Sequence, residues 1–76
     1  MGIKVTVTLK DGSKLLEDIV RTGCTQSKFA EKVGISQPYL NQIINKEKNP
    51  GPSIAKKITD GLGKKLEDYF FIQTEC

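Results

Sequence analysis

The spacing of apolar residues changes along the chain, and each change marks an element. Residues 3–10, IKVTVTLK, alternate apolar and polar, with Ile3, Val5, Val7 and Leu9 on one face and Lys4, Thr6, Thr8 and Lys10 on the other. A period of two predicts a half-buried strand. The following KDGS carries turn chemistry at Asp11-Gly12, and Ser13 suits the N-cap of a first helix running roughly from Lys14 to Thr22. The stripe of that helix is Leu15, Leu16, Ile19 and Val20, and Gly23 stops it.

Two further helical patterns lie in TQSKFAEKVGISQPYLNQIIN. Thr25 can cap the first, whose buried stripe is Phe29, Ala30 and Val33 and whose end is Gly34. Ser36 caps the next, with Pro38 in its first turn and Leu40, Ile43 and Ile44 facing inward. Asn45 can supply a left-handed exit, and KEKNPGP reads as a loop. A fourth helix opens at Gly51-Pro52, carries Ile54, Ala55, Ile58 and Leu62, and stops at Gly63. A fifth spans about Leu66 to Phe70, and FIQTE is brief and strand-like. A lone strand does not hold in water, so residues 3–9 should pair antiparallel with residues 71–75, within the chain or across a dimer.

These elements form one domain over residues 1–76. A strand extension covers 1–10, a five-helix core 14–70, and a C-terminal strand or tail 71–76, for a chain this short supports only one core. No run is long and apolar enough for a membrane span, and the first residues lack the pattern of a signal peptide, which points to a cytoplasmic protein. Cys24 lies among apolar positions and reads as a small core residue, while Cys76 reads as a mobile end. Without histidine the chain has neither a credible metal cage nor the commonest general base, so no metal, no cofactor and no enzymatic activity are expected.

The net charge of +3 is unevenly spread. Residues 26–57 hold six lysines against Glu31 and Glu47, a balance of +4, whereas residues 58–76 balance to −2. A solvated lysine-rich surface is one reading, and a phosphate-facing surface is the other. The second gains weight because the basic half contains the two-helix pattern. Helices joined by a three-residue turn pack steeply only if the contact is small and the turn accepts a positive φ. Ala30 and Gly34 meet those needs, with Phe29, Val33, Ile35, Leu40 and Ile43 filling the angle. The combination is a helix-turn-helix. On its third helix the outward positions are Gln37, Pro38, Asn41 and Gln42, and amide side chains can donate and accept together, as bidentate reading of adenine requires.

TQSKFAEKVGISQPYLNQIINKEKNP, followed by SIAKKITDGLG and LEDYF, resembles the Cro/C1 (Xre) family of phage and bacterial repressors over about residues 14–70. The resemblance implies a mainly α, five-helix lambda-repressor-like domain with the third helix in the major groove, commonly as a dimer reading two half-sites. The small antiparallel β element from the N- and C-terminal strands is an addition to that domain. By similarity, Gln37 and Gln42 match base-reading glutamines, and Gln26 matches the glutamine that grips a phosphate and braces the first residue of the third helix. Pro38 departs from the family at a neighbouring contact but can touch a thymine methyl. Ser36, Tyr39, Asn45, Lys46, Lys48 and Asn49 are candidate backbone contacts. Lys46 stands where the family often has glycine, and Lys64-Lys65 where a capping serine or threonine is common.

The implied function is sequence-specific binding of double-stranded DNA, as a repressor that occupies a palindromic operator as a homodimer. Leu66, Tyr69, Phe70, Phe71 and Ile72 are the candidate dimer contact, with the core of the single chain as the alternative for Leu66 and Phe70. A bacterial or phage-encoded, nucleoid-associated location follows, and no small-molecule effector is evident. The other functional class is a protein-interaction module, such as an antitoxin, with secondary DNA binding.

Overall fold

The fold is given by a computed structural model that describes residues 3–75. Its order is β1 (Lys4–Leu9), α1 (Gly12–Arg21), α2 (Gln26–Val33), α3 (Gln37–Ile44), α4 (Pro52–Leu62), α5 (Leu66–Tyr69) and β2 (Phe70–Glu75). The protein is mainly helical, with a small two-stranded antiparallel sheet joining the first and last elements. Cys76 lies outside the described residues, and no described helix is long and apolar enough to cross a membrane.

The two strands pair within the chain, in a register running from Lys4↔Glu75 to Leu9↔Phe70. Directly opposed residues share a face of an antiparallel pair. Val5, Val7 and Leu9 therefore share the inner face with Thr74, Ile72 and Phe70, and Lys4, Thr6 and Thr8 share the outer face with Glu75, Gln73 and Phe71. Only the base of the inner face is covered, at Val7, Leu9 and Phe70. Exposure then climbs along β1 to 43% at Val5 and reaches 69% at Ile3 just before it, so the ribbon overhangs the helical body. The 42 × 21 × 19 Å extents of the chain agree with that overhang.

One apolar cluster joins the sheet base to every helix: Leu15 and Ile19 from α1, Phe29, Ala30 and Val33 from α2, Leu40, Ile43 and Ile44 from α3, Ala55 and Ile58 from α4, and Tyr69 from α5. Burial of a large aliphatic or aromatic side chain contributes roughly 1.5 to 3 kcal/mol before chain entropy is set against it. Buried among these is Thr59, whose hydroxyl donates to the Lys56 carbonyl at 3.0 Å, so no polar penalty arises. Cys24 is half-buried against the cluster.

Several boundaries and faces differ from the sequence reading. Helix α1 starts at Gly12 because Asp11, not Ser13, is its N-cap; the Asp11 carboxylate accepts from the amides of Ser13 at 2.9 Å and Lys14 at 3.4 Å. A carboxylate at that point also faces the positive end of the helix dipole. Val20, expected in the α1 stripe, is 60% exposed, since α1 is covered along the line of Leu15 and Ile19. Helix α5 ends one residue early at Tyr69, and it has no side-chain N-cap; instead Asp68 reaches back to accept from the Lys65 amide at 2.9 Å.

Candidate nucleic-acid interface

The α2–α3 corner is set by local chemistry. Thr25 Oγ1 accepts from the Lys28 amide at 3.1 Å, which starts α2. Gly34, at φ 89°, ends it: its amide bonds to the Glu31 carbonyl and the Ile35 amide bonds to the Ala30 carbonyl at 2.9 Å. This paired closure satisfies two carbonyls at the helix end and needs a left-handed residue between them. Ser36 Oγ then accepts from the Tyr39 amide at 3.2 Å, and Pro38 occupies the first turn of α3, where its missing N–H has no helical acceptor to lose. Three residues thus turn the chain from one helix into the next.

With Leu40, Ile43 and Ile44 turned into the core, the opposite side of α3 is left to solvent. Gln37, Pro38 and Asn41 are exposed and Gln42 is half-buried. Positions four apart on a helix lie one above the other, so Gln37, Asn41 and Asn45 form one row and Pro38 and Gln42 the next. Within the first row, Asn45 Nδ2 donates to Asn41 Oδ1 at 3.4 Å, which leaves the Asn41 amide hydrogens free. The result is a polar face rich in groups that both donate and accept.

The candidate backbone contacts lie on α2, on α3 and its caps, and in the loop that follows. Ser36, Asn45, Lys46, Lys48 and Asn49 are exposed, while Gln26 and Tyr39 are half-buried, Tyr39 against the core. Gln26 is the first residue of α2, beside the unpaired amides of its N-terminus, which favour an anion. Among the described residues the ion pairs are Arg21–Glu17 and Lys56–Asp60, so the lysines flanking α3 carry uncancelled charge.

The exit from α3 corrects the sequence reading. Asn45 has φ −84° and ψ 4°, and it is Lys46 that turns left-handed at φ 63°. The Lys46 amide bonds to the Ile43 carbonyl at 3.0 Å and the Glu47 amide to the Gln42 carbonyl at 2.8 Å, the same closure that Gly34 makes after α2. A lysine in that conformation costs about 1 kcal/mol or more. Partly offsetting it, Lys46 Nζ donates to the Lys10 carbonyl at 3.0 Å.

Of the residues expected at a dimer contact, Tyr69 and Phe70 are 2% and 1% exposed and belong to the core of the single chain, and Leu66 is half-buried against it. Phe71 and Ile72 are exposed but point to opposite faces of the ribbon. Tyr69 and Phe70 are buried because β2 pairs with β1 and lays its first residue on the helices. Lys10 and Gly12, which the sequence reading assigned to a strand and a turn, lie against the end of α3. The one hint in the sequence was the missing glycine after that helix.

Residues 19–69 match the helix-turn-helix family of Cro/C1 type. A propionyl-CoA carboxylase regulator from Cereibacter sphaeroides is 38% identical to this chain over 52 residues, which are 68% of the chain and 11% of that regulator. The chain therefore spans about a tenth of the length of the relative it matches, within the part that carries this likeness. The family match supports DNA binding by this chain. With the matched segment covering more than half of its length and containing the whole α2–turn–α3 unit, the chain belongs to the Cro/C1-type helix-turn-helix family.

Proposed function

We propose that this chain is a sequence-specific regulator that binds double-stranded DNA with α3 in the major groove, and that it acts as a repressor by occupying a palindromic operator as a homodimer. The observation that carries the reading is the exposed amide row of α3, fixed by the Ser36 cap at its start and flanked by lysines that make no ion pair among the described residues. Gln37, Asn41 and Gln42 are the base readers, and Pro38 gives apolar contact to a thymine methyl. Gln26, Ser36, Tyr39, Asn45, Lys46, Lys48 and Asn49 contact the phosphate backbone and fix the register without reading it.

Dimerisation goes through the ribbon, where Phe71 and Ile72 remain exposed while Leu66, Tyr69 and Phe70 anchor it to the core. Two-fold symmetry would then match two half-sites about one helical turn apart, roughly 34 to 36 Å. Selection of binding sites from a random DNA pool tests the reading: a palindrome with that spacing is expected. Enrichment of no sequence at moderate salt would reject it.

A further inference from the structure

The C-terminal end of α3 rests on the corner between β1 and α1. At Gly12 a Cβ would lie 2.0 Å from the Ile44 carbonyl oxygen and 3.1 Å from its carbon. Gly12 has no positive φ, so the glycine answers to space and not to backbone conformation. Its hydrogen points at the last carbonyl of α3, a weak C–H···O contact that any side chain would replace with a clash. Beside it, Lys46 Nζ donates to the Lys10 carbonyl at 3.0 Å.

The corner is itself pinned from the other side. The Lys10 amide donates to the Tyr69 carbonyl at 2.8 Å, its Nζ donates to the Glu67 carbonyl at 2.7 Å, and that ammonium stands 5.1 Å from the centre of the Phe71 ring. One residue thus holds α5, β2 and the exit of α3 together.

We infer that the Lys10–Gly12 corner is the seat that sets the position of α3 against the duplex, with Gly12 and Lys46 as positioning residues for sequence recognition. The inference rests on α3 being the DNA-reading helix. Bidentate contacts to base edges depend on geometry, whereas attraction to phosphates tolerates a small displacement. From 2.0 Å, a Cβ at Gly12 forces the two backbones apart by about 1.5 Å to reach ordinary contact. Lys46 keeps two further N–H groups for a phosphate while it holds the seat.

Binding to a selected site and to random DNA, measured side by side, tests this in the whole chain. Gly12→Ala should lower the preference for the selected site by about tenfold or more, the size of losing a base contact. Its binding to random DNA should stay within about threefold of the wild type, because the charges remain. Gly51→Ala, where a Cβ meets nothing within 4 Å, should keep the preference. Lys46→Gly frees the left-handed position and removes the bond to Lys10 without adding bulk; its preference, normalised to random DNA to cancel the lost charge, should also fall. If Gly12→Ala does not fold, Lys46→Gly decides alone. A wild type that discriminates while the folded variants discriminate equally well overturns the seat. A wild type with no preference at all refutes the DNA reading beneath it.

Discussion

The Tyr69 hydroxyl donates a hydrogen bond to the Asp18 carboxylate, tying α5 to α1 across 51 residues of sequence. Tyr69 is 2% exposed and leads directly into β2, so this bond fixes where the ribbon leaves the helical body. The hydrogen bond from Tyr69 is the main cause that holds the Asp18 carboxyl below its ordinary 3.8; partial burial opposes it, and Lys14, Arg21 and Lys64 add to it. Burial pushes the Tyr69 phenol above its ordinary 10.0, and the bond to Asp18 and the charges of Asp18 and Asp68 push it further.

The pair should be visible in the pH dependence of folding. A carboxyl with a depressed folded pKa stabilises the fold above its unfolded value, near 3.8 for Asp18, and the contribution is lost as pH falls through the lowered folded value. A phenol with a raised folded pKa acts in the opposite sense: its contribution is complete below 10.0 and is lost as pH rises beyond it. Tyr69→Phe should lower the thermal midpoint near neutral pH by roughly 3 to 6 °C, the size of one hydrogen bond in a domain this small. The gap between wild type and variant should narrow in acid, and the variant should lose the alkaline decline belonging to this phenol. Melting curves that differ by the same amount from pH 2 to 7 would remove Asp18 as the partner that matters.

Gly34 supplies a sharper test of the corner. A Cβ there meets nothing within 4 Å, yet φ is 89°. Gly34→Ala should therefore destabilise by about 1 kcal/mol or slightly more through backbone conformation alone. Urea unfolding with an unchanged slope is the measurement. An alanine tolerated without loss would mean that the turn can be made another way.

That corner was legible in the sequence because each of its causes is local. Thr25, Gly34 and Ser36 each act on amides or carbonyls within a few residues, and the apolar spacing orients both helices. The alternation in residues 3–10 likewise announced β1. The sequence left open whether its partner lay in the same chain, because register is a property of distant segments. Tyr69 and Phe70 were ambiguous for the same reason: an apolar residue late in a chain can cover a core or a partner, and the sheet decides. Nothing near Asp18 announces Tyr69. Gly12 read as a turn-former, and only the approach of Ile44 gives it a second role.

Lys48 separates attraction from reading. It is exposed in the loop after α3, and its amide bonds to the Gln42 carbonyl at 3.3 Å, which holds the backbone while leaving the ammonium free. Lys48→Ala should weaken selected and random DNA alike and reduce the salt dependence by about one phosphate contact. Gln37→Ala, by contrast, should cost roughly 1 to 3 kcal/mol on the selected site and little on random DNA. Equal losses on both DNAs would demote Gln37 to a backbone contact.

The ribbon carries the assembly prediction, and its two faces make unequal offers. Ile72 is 41% exposed on the inner face, which it shares with Val5 at 43%, and Ile3, just before β1, is 69% exposed. Phe71, 57% exposed, stands on the outer face among Thr8, Gln73 and the Lys10 ammonium. A two-fold contact uses the same patch on both copies, so a continuous apolar strip suits it better than one ring beside a charge. The wild type should sediment as a dimer at high micromolar concentration without DNA. Ile72→Lys should yield monomers with an almost unchanged melting curve, since the position is already half open to water, and should bind an isolated half-site as the wild type does. Phe71→Ser should leave the dimer standing. If Phe71→Ser dissociates it while Ile72→Lys does not, the copies meet through the outer face. A wild type that stays monomeric throughout would leave the strip to a different partner and would remove the two-half-site operator from the proposed mechanism.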